Sequence, residues 1–130
     1  MQNRYNLADR RAEAVLDYCE HRGIGFIPWS PLAEGRSLAA PGGPIAQAAE
    51  RHQASARQIA LAWLLARSPV MLPIPGTGSI AHLEQNVASV SIPLQRHEFD
   101  AIDAASGGPG GSADAQRPSR DDTPAGGGDP

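Results

Sequence analysis

The chain has 130 residues, a formal net charge of −3, one cysteine and no lysine, all its fixed positive charge being arginine. That length allows one small domain, the charge offers no nucleic-acid surface, no apolar run is long enough to span a bilayer, and Cys19 alone excludes an internal disulfide framework. The polar start, with Arg4 where an apolar stretch would be needed, does not read as a signal peptide, so no membrane contact and a cytoplasmic location are expected.

In chain order, the region around Arg4 and Tyr5 reads as a strand. Residues 8–22 place Ala12, Val15, Leu16 and Cys19 at helical spacing, with Asp9 positioned to complement the helix dipole and Gly23 as the stop. Residues 24–28 are a short apolar run ended by Pro28, the pattern of a buried strand. A loop over 37–43 leads to a helix over 44–52 that Pro44 begins. The clearest helix covers 55–67. Ser55 and Gln58 have the spacing of a capping box, and Ile59, Ala60, Trp63 and Leu64 form an apolar face widened by Leu61 and Leu65, with Pro69 as the terminator. Residues 70–74 read as a second buried strand, 79–90 as a helix, and 95–105 as another with Phe99 and Ile102 inward. Residues 107–130 hold almost nothing apolar and cannot offset the entropy of ordering, so a folded domain over 1–105 and a disordered tail over 106–130 are expected.

Strand and helix alternating in this way is the grammar of a parallel α/β sheet, whose ligands sit at the carboxyl ends of the strands. Two segments fall there. In Pro75-Gly76-Thr77-Gly78-Ser79, the glycines permit backbone with φ > 0 and close approach of a ligand, Ser79 or Thr77 can cap the next helix, and that helix's free N–H groups attract an anion. The plain alternative is a strand-to-helix loop whose glycines only make the turn. In Trp29-Ser30-Pro31-Leu32, an indole at a strand end offers a flat face to an aromatic ring, and Ser30 offers a hydroxyl and a backbone donor. The plain alternative is a core tryptophan followed by a turn.

The other candidates are weaker. His21, His52, His82 and His97 show no metal-ligand spacing; three lie on helices beside charged residues as solvated side chains do, and no metal site is expected. Asp9, Asp17, Asp100 and Asp103 read as solvated helix acids, Tyr18 as surface, and Cys19 as a small buried hydrophobe. No Ser-His-Asp constellation is visible.

Four blocks together resemble the carboxyl-terminal part of the aldo/keto reductase family. They are Gln2-Asn3-Arg4-Tyr5-Asn6-Leu7; Gly23-Ile24-Gly25-Phe26-Ile27-Pro28-Trp29-Ser30-Pro31-Leu32-Ala33-Glu34-Gly35; Gln58-Ile59-Ala60-Leu61-Ala62-Trp63-Leu64-Leu65-Ala66-Arg67; and Ile74-Pro75-Gly76-Thr77 with His82-Leu83-Glu84-Gln85-Asn86-Val87. The resemblance covers roughly 2–105. It implies parallel (β/α) units equivalent to the last part of a (β/α)8 TIM barrel, NADP(H) bound in extended form at the strand ends, and reduction of aldehyde or ketone carbonyls. Because such a barrel needs about 250 residues, only the last three strand-helix units are matched, and Met1 stands where the family has an ordinary strand residue, which reads as a truncated chain. By this resemblance Gln2 would bind the nicotinamide carboxamide and Trp29 would stack on the ring. Ser30, Leu32 and Gly35 would line the pyrophosphate. Gly76, Thr77, Gly78 and Ser79 would approach the adenosine ribose and its 2′-phosphate, while His82, Gln85 and Asn86 would face the adenine. His82 stands where many members place arginine or glutamine, and Gly76 where several place lysine. Those departures remove fixed positive charge beside the 2′-phosphate and leave NAD(H) as an alternative cofactor.

The family's catalytic aspartate, tyrosine, lysine and histidine come from earlier strands, and none maps onto this chain. Carbonyl reduction needs a proton donor within reach of the developing alkoxide, so no catalytic residue is assigned and a small carbonyl substrate is expected only if the missing strands are supplied. A nucleotide-responsive binding or interaction module, or a non-functional truncated gene product, are the alternatives. Open sheet edges, and barrel-facing side chains such as Phe26 or Ile27 and Val70 or Leu72 that lose about 1.5–3 kcal/mol each when uncovered, predict a marginal or self-associating monomer.

Overall fold

The parallel arrangement starts at the first residues of the computed structural model, which describes residues 1–32 and 40–106. Strand β1 (Gln2–Arg4) pairs in parallel with β2 (Ile27–Trp29), setting Gln2 opposite Ile27, Asn3 opposite Pro28 and Arg4 opposite Trp29. Helix α1 (Glu13–Arg22) makes the crossover between them. The helices α2 (Pro44–His52), α3 (Ala56–Arg67) and α4 (Ile80–Ala88), a 3-10 turn (Ser89–Ser91) and helix α5 (Arg96–Ala105) follow. The expected tail over 106–130, except Ser106, and part of the expected loop over 37–43 lie outside the described residues.

Helix α1 starts five residues later than the sequence pattern implies. Asn6 is the reason. Its side-chain Oδ1 accepts from the Ala8 N–H at 2.9 Å, and its backbone exchanges hydrogen bonds with Asp9 at 3.0 and 3.1 Å, closing a tight turn that a helix from residue 8 would break. Asp9 therefore does not face the helix start; its carboxylate binds Arg11, and Glu13 is the acid in the first turn. The stop is as expected, with Gly23 in the left-handed region at φ 63°.

Pro28 does not end β2 but lies inside it. Phe26 N–H donates to Val70 O at 2.8 Å and Leu72 N–H donates to Phe26 O at 2.8 Å, making a single parallel bridge between Phe26 and Met71. The next donor on that side of β2 would be the nitrogen of Pro28, which carries no hydrogen. The ladder stops there, so residues 70–74 are an extended segment with one bridge and not the strand their apolar run predicts. Leu72 and Ile74 stay exposed.

Helix α3 carries the core. Ser55 Oγ accepts from Gln58 N–H at 3.2 Å and Gln58 Oε1 accepts from Ser55 N–H at 3.0 Å, so the capping box forms as read. Ile59, Ala60, Trp63 and Leu64 are buried with Tyr5, Leu16, Cys19, Phe26, Ala48 and Ile102. Trp63 stacks on Phe99 of α5 with centroids 5.4 Å apart and planes 8° from parallel. Among the described residues, no helix is long and apolar enough to cross a membrane.

Two expected solvated groups are instead structural. Arg10, Glu13, Arg67, Asp17 and Asp103 form one ion cluster: Arg10 donates to Glu13 and to Asp103 at 2.8 Å each, and Arg67 donates to Glu13 and to Asp17 at 2.7 Å each. All four histidines lie on helices, and His52 is not solvated. Its Nε2 stands 2.9 and 3.1 Å from the two oxygens of buried Glu98, pinning α5 to α2.

Burial pushes the Glu98 carboxyl up, but hydrogen bonds from His52, the Gln95 N–H and Arg51 outweigh it and hold the group at about 2, below its ordinary 4.5. A folded value below the unfolded one stabilises fully above the unfolded value and is lost as pH falls through the folded one. Docking of α5 is therefore expected to weaken between about pH 4.5 and 2. Tryptophan fluorescence, reporting Trp63 against Phe99, should follow that loss. Glu98→Gln should flatten the acid limb, and an unchanged acid limb in that variant would contradict the assignment.

Candidate functional site

The chain leaves β2 through a strained residue. Ser30 has φ 54°, uncommon for a side chain other than glycine and costing on the order of 1–3 kcal/mol. Fully buried Asn6 holds it there, donating from Nδ2 to Ser30 O at 2.8 Å. Sequence reading assigned Asn6 no role; its signal was an asparagine directly after a strand, the residue type that bonds to nearby backbone. Trp29 is 41% exposed, and the Arg4 guanidinium lies over its ring at 5.4 Å, so one face of the indole already has a cationic neighbour. Asp9 stands 3.6 Å from Arg4. Gln2 is exposed at the start of β1, opposite Ile27. Leu32 packs against the core, so its backbone and not its side chain is what it could offer a ligand. Gly35 lies outside the described residues.

A second group gathers at the start of α4. Ser79 is the N-cap, its Oγ accepting from His82 N–H at 3.4 Å, and Thr77 Oγ1 accepts from Ser79 N–H at 3.1 Å. The expectation that Gly76 and Gly78 supply positive φ is corrected: neither is in the left-handed region, and a Cβ added to either would meet no atom within 4 Å. Neither the turn nor packing requires glycine there. What the missing side chains leave is room beside the positive end of α4.

Asn86, 9% exposed on α4, accepts through Oδ1 from Arg57 Nε at 3.4 Å, and Arg57 also donates to Gly76 O at 3.2 Å. Gln58, already in the capping box, donates from Nε2 to Gln85 O at 3.1 Å. Helix α3 thus clamps both ends of the 76–86 segment through two adjacent side chains. Arg57 was missed because nothing in its sequence neighbourhood distinguishes it from a solvated helix cation. His82 and Gln85 are exposed on α4.

Five buried side-chain polar atoms among the described residues have no hydrogen-bond partner: Asn3 Oδ1, Arg4 Nε, Ser30 Oγ, Asn86 Nδ2 and Trp63 Nε1. Leaving such a group unpaired costs about 1–3 kcal/mol; Ser30 and Asn86 belong to these two segments, and Asn3 and Arg4 lie on β1, paired with β2. Tyr5 cannot serve them as an acid. Burial first, and then donation to Glu13 at 2.6 Å, raise its phenol far above its ordinary value and keep the proton in place. The arrangement offers hydrogen bonds, a flat ring and an anion-favouring helix start, which is binding chemistry.

The sequence profile of the aldo/keto reductase family matches residues 1–41 and 42–106. The chain is 49% identical over 117 residues to an uncharacterized oxidoreductase of Schizosaccharomyces pombe, covering 90% of this chain and 37% of that protein. It is 39% identical over 106 residues to pyridoxine 4-dehydrogenase of Escherichia coli, covering 82% and 36%. The crystal structure of an aldo-keto reductase from Klebsiella pneumoniae in complex with NADPH superposes with a TM-score of 0.74 at 30% identity, covering 94% of this chain and 42% of that one. The chain therefore spans little more than a third of the length of these relatives.

Proposed function

The chain belongs to the aldo/keto reductase family, and we propose that it forms the dinucleotide-holding part of a carbonyl-reducing oxidoreductase, with NADP(H) as cofactor and NAD(H) as its competitor. When bound, the cofactor supplies a hydride. This chain's residues bind and orient it: Gln2 and Trp29 at the nicotinamide, Ser30, Leu32 and Gly35 along the pyrophosphate, Gly76, Thr77, Gly78 and Ser79 at the adenosine ribose, and His82, Gln85 and Asn86 at the adenine. The observation that carries this reading is the set of buried atoms without a hydrogen-bond partner on Asn3, Ser30 and Asn86.

The reading assigns no proton donor to this chain. Alone it holds the cofactor without reducing a carbonyl, and a carbonyl substrate enters only where further strands complete the barrel. The same observation favours a second reading, a nucleotide-responsive module whose output is an interaction. The exposed edge at Leu72 and Ile74 is the surface through which copies would associate.

Calorimetric titration of the 130-residue chain with NADPH and NADH is the test. Trp29→Ala, which removes the ring stack, is expected to weaken binding about tenfold. Folded chain giving no heat with either nucleotide would overturn the reading. Carbonyl-dependent NADPH oxidation by the pure chain would overturn the absence of a proton donor.

A further inference from the structure

Among the described residues, Arg57 is a cation without an acid. On α2 and α3, Arg51 meets Glu98 and Arg67 meets Glu13 and Asp17. Arg57 meets no carboxylate among the described residues; its two partners, Asn86 Oδ1 at 3.4 Å and Gly76 O at 3.2 Å, are neutral. Neither is short, so the guanidinium can exchange them for a charged oxygen at little cost.

The cation joins the loop before α4, through Gly76, to the later turns of that helix, through Asn86. Gly76 and Gly78 leave open space in that loop. Asn86, whose Oδ1 is committed to Arg57, is thereby turned so that its buried Nδ2 has no partner within the protein. A half-buried guanidinium and a buried amide donor together select an anionic, hydrogen-bond-accepting group, and the planar fork of arginine matches a phosphate.

We propose that Arg57 supplies the fixed positive charge of the nucleotide site and makes the chain prefer NADP(H), which carries an additional ribose phosphate, over NAD(H). The proposal rests on the dinucleotide-binding reading above. It places the compensating charge on the neighbouring helix α3, at a position remote in sequence from the loop where Gly76 and His82 leave the charge out. Arg57 then has two effects that can be separated: it orients Asn86 for either nucleotide, and it attracts the phosphate of only one.

The test uses the full chain with four probes: NADPH, NADH, 2′,5′-ADP and 5′-ADP. A charge-assisted contact corresponds to about ten- to a hundredfold in affinity, so the chain is expected to favour NADPH and 2′,5′-ADP by that factor. Arg57→Gln, which keeps a hydrogen-bonding side chain, should weaken NADPH and 2′,5′-ADP more than NADH and 5′-ADP and so remove most of the ratio between them. Arg57→Lys should retain part of it. Asn86→Ala should weaken the phosphorylated and unphosphorylated probes alike. An Arg57→Gln variant that weakens NADPH and NADH equally would overturn the charge role and reduce Arg57 to a clamp. Wild-type chain binding all four probes equally would overturn the preference while leaving the dinucleotide site standing, and folded chain binding none of them would overturn both.

Discussion

Glu13→Ala is expected to destabilise the chain by about 3 kcal/mol, the lower part of the range for removing one partner of a buried ion pair. The carboxylate of Glu13 collects the Tyr5 hydroxyl at 2.6 Å, Arg10 Nε at 2.8 Å and Arg67 Nε at 2.7 Å. The Arg10 side chain is only 9% exposed. Truncation leaves that guanidinium buried with half its compensation, and leaves the phenol proton without an acceptor. The loss is held to the lower part of the range because Arg10 retains Asp103 and the ring faces of Tyr5 and Trp63 at 5.6 and 4.6 Å, and Arg67 retains Asp17. The sign with pH follows from the same contacts. Burial raises the Glu13 carboxyl, but the bonds from Arg10, Tyr5 and Arg67 win and hold it below its ordinary value. Its contribution is therefore complete above the unfolded value and lost as pH falls through the folded one. Urea denaturation of the two proteins at neutral pH is the measurement. A difference under about 0.5 kcal/mol, the usual range for surface changes, would show that the cluster is solvated and decorative. Replacing Glu13 and Arg67 together by leucine and methionine should recover much of the loss, because removing both partners strands less charge than removing one.

What the sequence made legible divides along a physical line. Helix α3 could be read to its cap because Ser55, Gln58 and the spacing of Ile59, Trp63 and Leu64 are local signals that agree with the tertiary outcome. Pro44 and Gly23 marked their helix ends for the same reason. The errors arise where a residue's partner is remote. Asn6 takes the start of α1 away because it is committed to Ser30, twenty-four residues later. The 70–74 run looks like a strand by itself, but its pairing depends on whether β2 can donate, and Pro28 cannot. At the site, the four blocks drew attention to the residues after β2 and after the 70–74 segment, and the structure makes Ser79 the cap of α4 and joins Gly76 to Asn86 through Arg57. Asn6, which holds Ser30, and Arg57, which joins Gly76 to Asn86, were not legible, since both act through hydrogen bonds to segments far away in sequence. The clamp between α3 and α4 exists only once both helices are docked.

Trp63→Ala is expected to cost about 3–5 kcal/mol, the range for truncating a buried large aromatic. The total stability of a domain is typically about 5–15 kcal/mol, and this chain has exposed apolar residues at Leu72, Ile74, Ile80 and Val87 that contribute nothing to its own core. The variant should therefore lie close to its unfolding midpoint in the absence of denaturant. Trp63 is fully buried, stacked on Phe99 and covered by Arg10, so contacts from α5 and from the turn before α1 meet on one side chain. Its indole also carries a defect, a buried Nε1 with no acceptor. Trp63→Phe removes that donor and keeps a stacking ring while leaving a smaller void, and the two effects oppose each other. It should lose less than half of what the alanine variant loses. The consequence reaches the site, because α3 also presents Arg57 and Gln58 from its first turn. Nucleotide affinity should fall in Trp63→Ala in proportion to the unfolded fraction, and saturating NADPH should raise its thermal midpoint by mass action. A Trp63→Phe protein with wild-type urea midpoint would put the cost of the orphan donor equal to that of the void. A Trp63→Ala protein that stays fully folded would mean that α5 is held to the core through α2, by the Glu98 latch, and not by this ring.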